Sequence, residues 1–348
     1  NHYRMFFFLG RDKNMKVSIK DISKKTGFSP ATVSNALNHK RGVSEETAAE
    51  VFRVAREMGY ISESKVRRVK LVIFKRNGLI IDDTPFFSLM IDGIEKECRS
   101  AGMEMVLCYL NMQDENYEEQ VEWIIHDNST AVILLGTELM EEDVELYKSA
   151  TCPFLMLDYW AWDMSFNGVL INNADSARVA VEYLLKKGHR KIGYLKGKYR
   201  IKAFRSREVG YKTAMKKGSG QINMEYVVEL STTMNGAYKD MKLYLEKKPQ
   251  MPTAFFADND MIALGAMKAL QEMGYEIPKD ISIIGFDDLP FSEISNPPLT
   301  TLRVPKQEMG RLAVKKLLEA MEENVKIKTK TQVCTMFVER ESVRDLLK

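Results

Sequence analysis

From residue 70 onward the chain alternates between two kinds of pattern. Short runs rich in β-branched and aromatic residues lie at 69–74, 103–109, 131–135, 154–157, 191–195, 224–228, 253–256 and 281–285. Longer stretches with helical periodicity lie at 87–101, 115–127, 139–149, 174–187, 205–216, 235–247, 259–273 and 305–323. Strands joined through helices make crossover connections, and crossovers build parallel sheets with helices on both faces. Eight such units are too many for one small sheet. Open sheets of this kind bind ligands beyond the carboxyl ends of their strands, so the loops after the strands are where function is expected.

The first 70 residues are different. They carry 15 Lys and Arg against 7 Asp and Glu, a net of +8, whereas the remaining 278 carry 36 against 41, a net of −5. The whole-chain balance of +3 is therefore an average over a basic head and a mildly acidic body. A basic head joined to a larger body points to a nucleic-acid module. The length of 348 residues fits two or three domains, with enough apolar residues for a core that needs no disulfide or metal. No run of about 18 apolar residues is present, so no membrane span is expected. The apolar stretch Met5–Leu9 is shorter than a signal-peptide core. Cys98, Cys108, Cys152 and Cys334 show no CxxC spacing and are expected as buried, reduced thiols of a cytoplasmic protein. Met15 precedes the first patterned segment, so residues 1–14 are expected to be an upstream extension with no fold role.

Within the head, Ser18 and Asp21 form a capping signature, Ile19 and Ile22 share a helical face, and Gly27 ends the helix. Ser29 caps a second helix with Pro30 in its first position, and Val33, Ala36 and Leu37 form its apolar stripe. Ser44-Glu45-Glu46-Thr47 opens a third helix running through Met58, with Val51, Val54, Ala55 and Met58 on one face. Two short helices joined by a tight turn, the second exposing small polar groups, make a helix-turn-helix. The alternative is a small three-helix bundle without a DNA role.

The residues Ile19-Lys20-Asp21-Ile22, Gly27 to Ser34, Leu37-Asn38, Val43 to Thr47 and Met58-Gly59-Tyr60 resemble the LacI/GalR family of bacterial transcription regulators. The resemblance implies that Pro30, Ala31 and Asn35 face base edges in the major groove. It also implies that Ser29, Thr32, Ser34 and Asn38 contact phosphates. Asn35 stands where the family commonly has Arg. Asn pairs with adenine N6 and N7, whereas Arg reads guanine, so adenine is expected at that base. The family follows the head with a spacer and a hinge helix that wedges an apolar side chain into the minor groove. Here residues 61–74 lack the spacer, the Pro and the usual hinge pattern. Val69 falls at the wedge position. Either Lys65–Val69 forms a short hinge on DNA, or Val66–Phe74 is the first strand with a basic start. The second reading is favoured, with Arg67 and Arg68 touching phosphates.

The resemblance continues through Pro85-Phe86-Phe87, Gly188 to Gly193, Asn259 to Ala266, Asp280 to Asp288, Pro297 to Thr301 and Glu339 to Ser342. It implies an all-α helix-turn-helix head and an α/β bilobed body like the periplasmic binding proteins, with two parallel-sheet lobes around a ligand cleft. The expected boundaries are a DNA-binding head at 15–60, a shortened hinge at 61–70 and an effector-binding and dimerisation body at 71–348. The N-lobe is expected at about 71–171 and 303–328, and the C-lobe at about 172–302 and 329–348. By matching, Asp158, Arg207, Asn259 and Asp287 are the polar effector contacts, since carboxylates and guanidinium groups grip adjacent hydroxyls. Asn259 is alternatively a helix cap. Phe86, Phe87, Tyr159, Trp160, Trp162 and Phe256 are the aromatic candidates for stacking on a sugar face. Ile171 stands where some relatives have an aromatic ligand contact, so ligand identity cannot be copied from a relative. His189, in a Lys-Lys-Gly-His-Arg-Lys turn, is expected to make structural hydrogen bonds. No GxGxxG, P-loop, HExxH or GxSxG is present, and no cofactor, metal site or enzyme activity is expected. The expected function is a sugar-responsive repressor that binds double-stranded operator DNA as a homodimer. The rival readings are a regulator of purine, nucleoside or phosphocarrier-protein response, and a sugar-binding protein or enzyme with a DNA tether.

Overall fold

The structure is a computed structural model that describes residues 17–37, 43–58, 60, 66–162, 164–218, 222–321 and 327–348, the side chains of Glu45, Ala49, Phe52 and Arg56 excepted. The extension 1–14, Met15, the expected phosphate contact Asn38 and residues 61–65 of the join lie outside the described residues. The chain divides into two compact units, Asn1–Val66 and Arg67–Lys348.

The head holds α1 (Ile19–Thr26), α2 (Pro30–Leu37) and α3 (Glu45–Glu57). A reciprocal cap closes α1, with the Asp21 carboxylate accepting the Ser18 N–H at 2.9 Å. Gly27 ends it at φ +76°, a conformation that costs little only without a Cβ. Ser29 Oγ accepts the Thr32 N–H at 3.1 Å and Ser44 Oγ the Thr47 N–H at 3.2 Å, so each helix start is satisfied by the residue before it. Ile22, Val33, Ala36, Val51, Val54 and Ala55 form the core, with Ile19, Phe28, Leu37 and Met58 around it. At about 1.5–3 kcal/mol per fully buried aliphatic side chain, so small a core leaves a narrow stability margin.

The body begins with β1 (Arg68–Lys75), α4 (Phe86–Ser100), β2 (Glu104–Asn111), α5 (Tyr117–Ile125), β3 (Thr130–Leu135), β4 (Phe154–Leu157) and β5 (Asn167–Ile171). It then passes to α6 (Asn173–Lys186), β6 (Ile192–Gly197), α7 (Lys202–Gly218), β7 (Val227–Leu230), α8 (Met234–Glu246), β8 (Ala254–Ala257), α9 (Asp260–Glu272), β9 (Ser282–Ile284) and α10 (Pro290–Ile294). It closes with β10 (Thr301–Arg303), α11 (Lys306–Ala320), β11 (Lys330–Val333) and β12 (Met336–Val338). The first sheet is parallel in the order β11-β5-β4-β3-β1-β2, and the second is parallel in the order β7-β6-β8-β9. Leu71–Phe74 of β1, all of β3 and β4 and all of β8 are buried, as strands covered on both faces must be.

Three expectations need correction. The segment 139–149 is not an α-helix but a 3-10 turn at Glu141–Tyr147, where Asp143 turns back to accept the Met140 N–H and its carboxylate is tied to Arg76. The segment 329–348 does not belong wholly to the second lobe. β11 pairs with β5 at the edge of the first sheet, and β12 pairs antiparallel with β10. An edge strand reading Lys-Thr-Gln-Val needs backbone pairing and little apolar surface, so no hydrophobic run announced it. The cysteines are not uniformly buried: Cys98 and Cys152 are, Cys108 is half-buried and Cys334 is exposed. His189 is as expected, with Nδ1 at 2.9 Å from Thr253 Oγ1 and Nε2 at 3.2 Å from the Arg344 carbonyl.

Candidate functional site

Helix α2 presents a polar face. Val33 and Ala36 point into the head core, while Ser29, Pro30 and Ala31 are exposed and Thr32, Ser34 and Asn35 half-exposed. Ala31 and Asn35 are four residues apart and so stand on one side of the helix. Lys20 and Lys24 of α1 are also exposed, whereas Lys25 and Arg53 are paired with Glu57.

The join residues divide. Arg67 and Arg68 are exposed, and Arg68 pairs with Glu104 at 3.0 Å. Val69 is fully buried inside β1, in register with Met105 and Ala131, and is therefore not a groove wedge. Val69 lies inside a strand that is paired on both sides, and its side chain is packed into the body.

The body carries a second site, and topology explains where it is. In each sheet the first strand sits between the second and the third: β1 between β2 and β3, and β6 between β7 and β8. The chain departs in opposite directions from the carboxyl ends of such a pair, which leaves a crevice. Thr137 and Asp158 lie beyond β3 and β4 of the first lobe, and Phe86 and Phe87 open α4. Arg207 lies on α7, and Asn259 and Asp287 follow β8 and β9 of the second lobe. All seven line a single cavity of about 30 Å³. That is the space of about one water molecule, so the lobes are closed upon each other here.

Arg207 is the hub. Its guanidinium lies 3.6 Å from the centroid of Phe286. Nε donates to Asn173 Oδ1 at 2.9 Å, Nη1 to the Asp258 carbonyl and Nη2 to Asp287 Oδ1 at 3.4 Å. Gly210, three residues on, explains how α7 can bring it there. A Cβ at Gly210 would stand 2.1 Å from the Ala174 carbonyl oxygen, so only glycine lets α7 lie against the first turn of α6. Asp158 and Asp287 adopt positive φ, 59° and 113°, which swings both carboxylates off their strand ends. Asp158 is held by Thr137 Oγ1 at 2.7 Å. Asn259 accepts the Ile262 N–H at 3.0 Å as the cap of α9, and it also lines the cavity.

The cleft holds its carboxylates out of water. Burial pushes Asp158 up to about 6, against the opposing pull of Thr137 and Arg207. Burial likewise raises Asp287 to about 6, although Arg207 and Lys306 oppose it. Asp260 is pushed up to about 7 by burial and by Asp287, while Ser292, Thr301 and the Leu289 N–H hold its oxygens. The Lys306 amine, lowered by burial, donates to the carbonyls of Asp287 and Asp288. A ligand rich in O–H donors answers this excess of acceptors.

A larger cavity of about 220 Å³ adjoins the first and shares Asp158 and Ala203 with it. Tyr159, Trp160 and Trp162 line it, with Ile171, Lys202 and Gln332. Tyr159 is buried, and its hydroxyl has no hydrogen-bond partner. Phe256, by contrast, is no part of either cavity. It is fully buried and stacked on Tyr194, centroids 5.9 Å apart. β8 continues through Ala257, so 256 is an interior strand position whose side chain enters the lobe core, not the cleft.

The sequence reading missed Thr137, Asn173, Phe204 and Ala203, which complete the walls. It also missed Glu138, whose buried carboxylate accepts the backbone N–H groups of Arg76, Asn77, Gly78, Ile80 and Ile81. That loop carries Ile80 and Thr84 into the cavity and reaches the second lobe, where Asp83 accepts the Met234 N–H at 3.0 Å. Nothing in the sequence around Glu138 marks it. Among the described residues no group of three or more His, Cys, Asp and Glu is placed to hold a metal ion, and no helix is long and apolar enough to cross a membrane.

Comparison with known proteins bears on both sites. Residues 18–63 match the family of bacterial regulatory proteins of the lacI type, and residues 181–343 match the periplasmic binding protein-like domain. The chain is 30% identical over 335 residues to the ribose operon repressor of Haemophilus influenzae, covering 94% of this chain and 99% of the relative. It is also 30% identical over 336 residues to the transcriptional repressor PurR of Vibrio vulnificus, again covering 94% and 99%. Among solved structures, the regulator CelR in complex with cellobiose superposes with a TM-score of 0.71 at 24% identity, covering 94% of this chain and 99% of that one. A LacI-family regulator of Enterococcus faecium with bound ribose gives 0.65 at 25% identity, covering 80% and 99%.

Proposed function

We propose, from the premise that this chain belongs to the lacI family of bacterial regulatory proteins and is a DNA-binding transcription regulator, that it is a repressor whose operator affinity is set by a sugar-like effector held between its lobes. The observation that carries the effector reading is the buried cluster of Asp158, Arg207 and Asp287 facing one cavity at the strand ends of both lobes. Two carboxylates from opposite lobes, with a planar guanidinium between them, give acceptors and donors for vicinal hydroxyls. The similarity to PurR leaves a purine as the rival effector. The excess of buried acceptors over donors favours the polyol, because a sugar supplies an O–H at nearly every carbon.

In this reading Pro30, Ala31 and Asn35 read bases, while Ser29, Thr32, Ser34 and Asn38 hold phosphates. Arg67 and Arg68 add salt-dependent affinity. Phe86, Phe87, Tyr159, Trp160 and Asn259 complete the effector site. Two chains pair to read a pseudo-palindromic operator, since one head makes too few contacts for a unique site, and the protein works in the cytoplasm. Closure of the lobes on the ligand favours one body arrangement, and the bias passes to the heads as a change in DNA affinity.

Calorimetric titration of the full chain with ribose, glucose and galactose, and separately with adenine, guanine and hypoxanthine, tests the effector class. A sugar is expected to bind, and Asp287→Asn to weaken that binding by about tenfold or more. Binding of purines alone, or sugar binding indifferent to Asp287→Asn, would overturn the reading.

A further inference from the structure

Residues 76–84, which lead from β1 to α4, form only bends and turns, yet the first lobe meets the second through them. Asp83 accepts the Met234 N–H at the start of α8 at 3.0 Å, and the Leu79 carbonyl accepts from Thr232 Oγ1 at 3.5 Å. The same loop brings Ile80 and Thr84 to the wall of the inner cavity. A loop of this kind ordinarily loses conformational freedom when the parts beside it close, and the ligand that drives closure must supply that cost.

Here the loop is held from within its own lobe. Beyond the end of β3, the fully buried Glu138 turns its carboxylate into the loop. Oε2 accepts the N–H groups of Arg76, Asn77 and Gly78 at 2.9, 3.1 and 3.0 Å, and Oε1 accepts those of Ile80 and Ile81 at 2.9 and 3.1 Å. Gly78, at φ +71°, supplies the reversal that lets both sets converge. Arg76 gives its guanidinium to Asp143 and Glu142, so the Glu138 charge is met by backbone dipoles. A neutral amide could not replace it, because it brings one oxygen and two N–H donors against five converging donors. The backbone of the same residue faces the other lobe, where its carbonyl accepts the Tyr199 hydroxyl at 3.4 Å.

We propose that Glu138 is a positioning residue for lobe closure. It sets loop 76–84 in advance as the latch that Thr232 and Met234 of the second lobe engage, and so raises effector affinity without touching the effector. Glu138 lines neither cavity of the cleft, whereas Thr137 beside it and Ile80 of the loop both do. The proposal rests on a ligand being held between the lobes, not on that ligand being a sugar.

The test uses the full chain, its Glu138→Gln and Asp83→Ala variants and the double variant. In the ligand-free chain, Glu138→Gln is expected to quicken hydrogen–deuterium exchange about tenfold at amides 76–81 and at the Met234 amide, with β1 and β3 unchanged. Calorimetry then takes the tightest binder among ribose, glucose, galactose, adenine, guanine and hypoxanthine. Glu138→Gln is expected to weaken its binding about tenfold and Asp83→Ala about threefold. In the Glu138→Gln background Asp83→Ala should add less than about 1.5-fold, because the latch is already lost. Gly78→Ala strains the loop at its positive φ and leaves the carboxylate in place; it is expected to repeat both results, and it carries the test should Glu138→Gln fail to fold. Exchange that quickens at 76–81 but not at Met234, or two substitutions that weaken binding additively, would make Glu138 a local structural residue and overturn the proposal. A purine as the tightest binder overturns the polyol reading alone, and if none of the six binds, the exchange result decides.

Discussion

The head and the cleft solve the problem of placing functional groups in opposite ways. In the head every structural device is local. Ser18 is answered by Asp21, Ser29 by Thr32 and Ser44 by Thr47, and six small buried side chains between Ile22 and Ala55 hold three helices. The outward face of α2 follows once its inward face is buried. In the cleft nothing is local. Asp158 and Arg207 are 49 positions apart and Arg207 and Asp287 80 apart, and they meet only because two sheets bring the same kind of crevice together. The head keeps its functional groups in water, whereas the cleft buries its carboxylates and pushes them above the ordinary range. Local construction allows a small unit with a narrow margin. Construction at a distance needs a large body to hold charge out of water.

If the two regions are as independent as this, they can be broken separately. Val33→Asp puts an unpaired charge into the head core, at a cost on the order of 3–5 kcal/mol, which exceeds what a unit of this size can lose. Operator binding in a gel-shift assay should vanish, while the calorimetric transition of the body and its sugar affinity stay as in the parent. A body transition displaced along with the head would break the comparison. A smaller effect is expected from Asn35→Arg, which alters a half-exposed position on the outward face of α2 and no core contact. Binding-site selection should return adenine at one base of each half-site for the parent and guanine for the variant. Each is expected to disfavour the other's base by about 1–3 kcal/mol, with the thermal transitions unchanged. Guanine selected by the parent would sink the assignment of Asn35.

The smallest effect is on pH. Asp158, Asp287 and Asp260 have folded values of about 6, 6 and 7, above the ordinary 3.8. Each therefore favours the protonated form when folded. Their contribution is full below about pH 4 and is lost as pH rises through 6 to 7. Raising the pH from about 5 to about 8 should lower the body transition by a few degrees. The head should not follow, because its shifted carboxylates, Asp21 and Glu50, are lowered by hydrogen bonds to Ser18 and Arg53 and titrate below this window. Asp260→Asn should flatten the body's slope, and equal slopes for head and body would contradict the account.

These differences also explain what was legible in the sequence. Caps, Gly27 and the apolar stripes of the head act over three or four residues, so spacing alone places α1, α2 and α3. Most strands of the body could be read from their apolar runs, because buried parallel strands are apolar throughout. Short polar strands such as β11 could not, since pairing and not burial holds them. Of the cleft, Asp158, Arg207, Asn259 and Asp287 could be found by matching motifs at strand ends. Phe256 could not be sorted correctly, because one position along a strand decides between core and cleft. Glu138 could not be found at all, because its five backbone partners come from a loop about 60 residues earlier.

The central claim is that the cleft governs the head, and linkage tests it most directly. Operator affinity of the full chain is measured by fluorescence anisotropy at fixed salt, with and without a saturating concentration of the best-binding sugar, in the parent and in Asp287→Asn. The account predicts a change of about fivefold or more in the parent, the same factor in sugar affinity when operator is bound, and neither in the variant at that sugar concentration. An operator affinity that stays the same when the cleft is filled would contradict it.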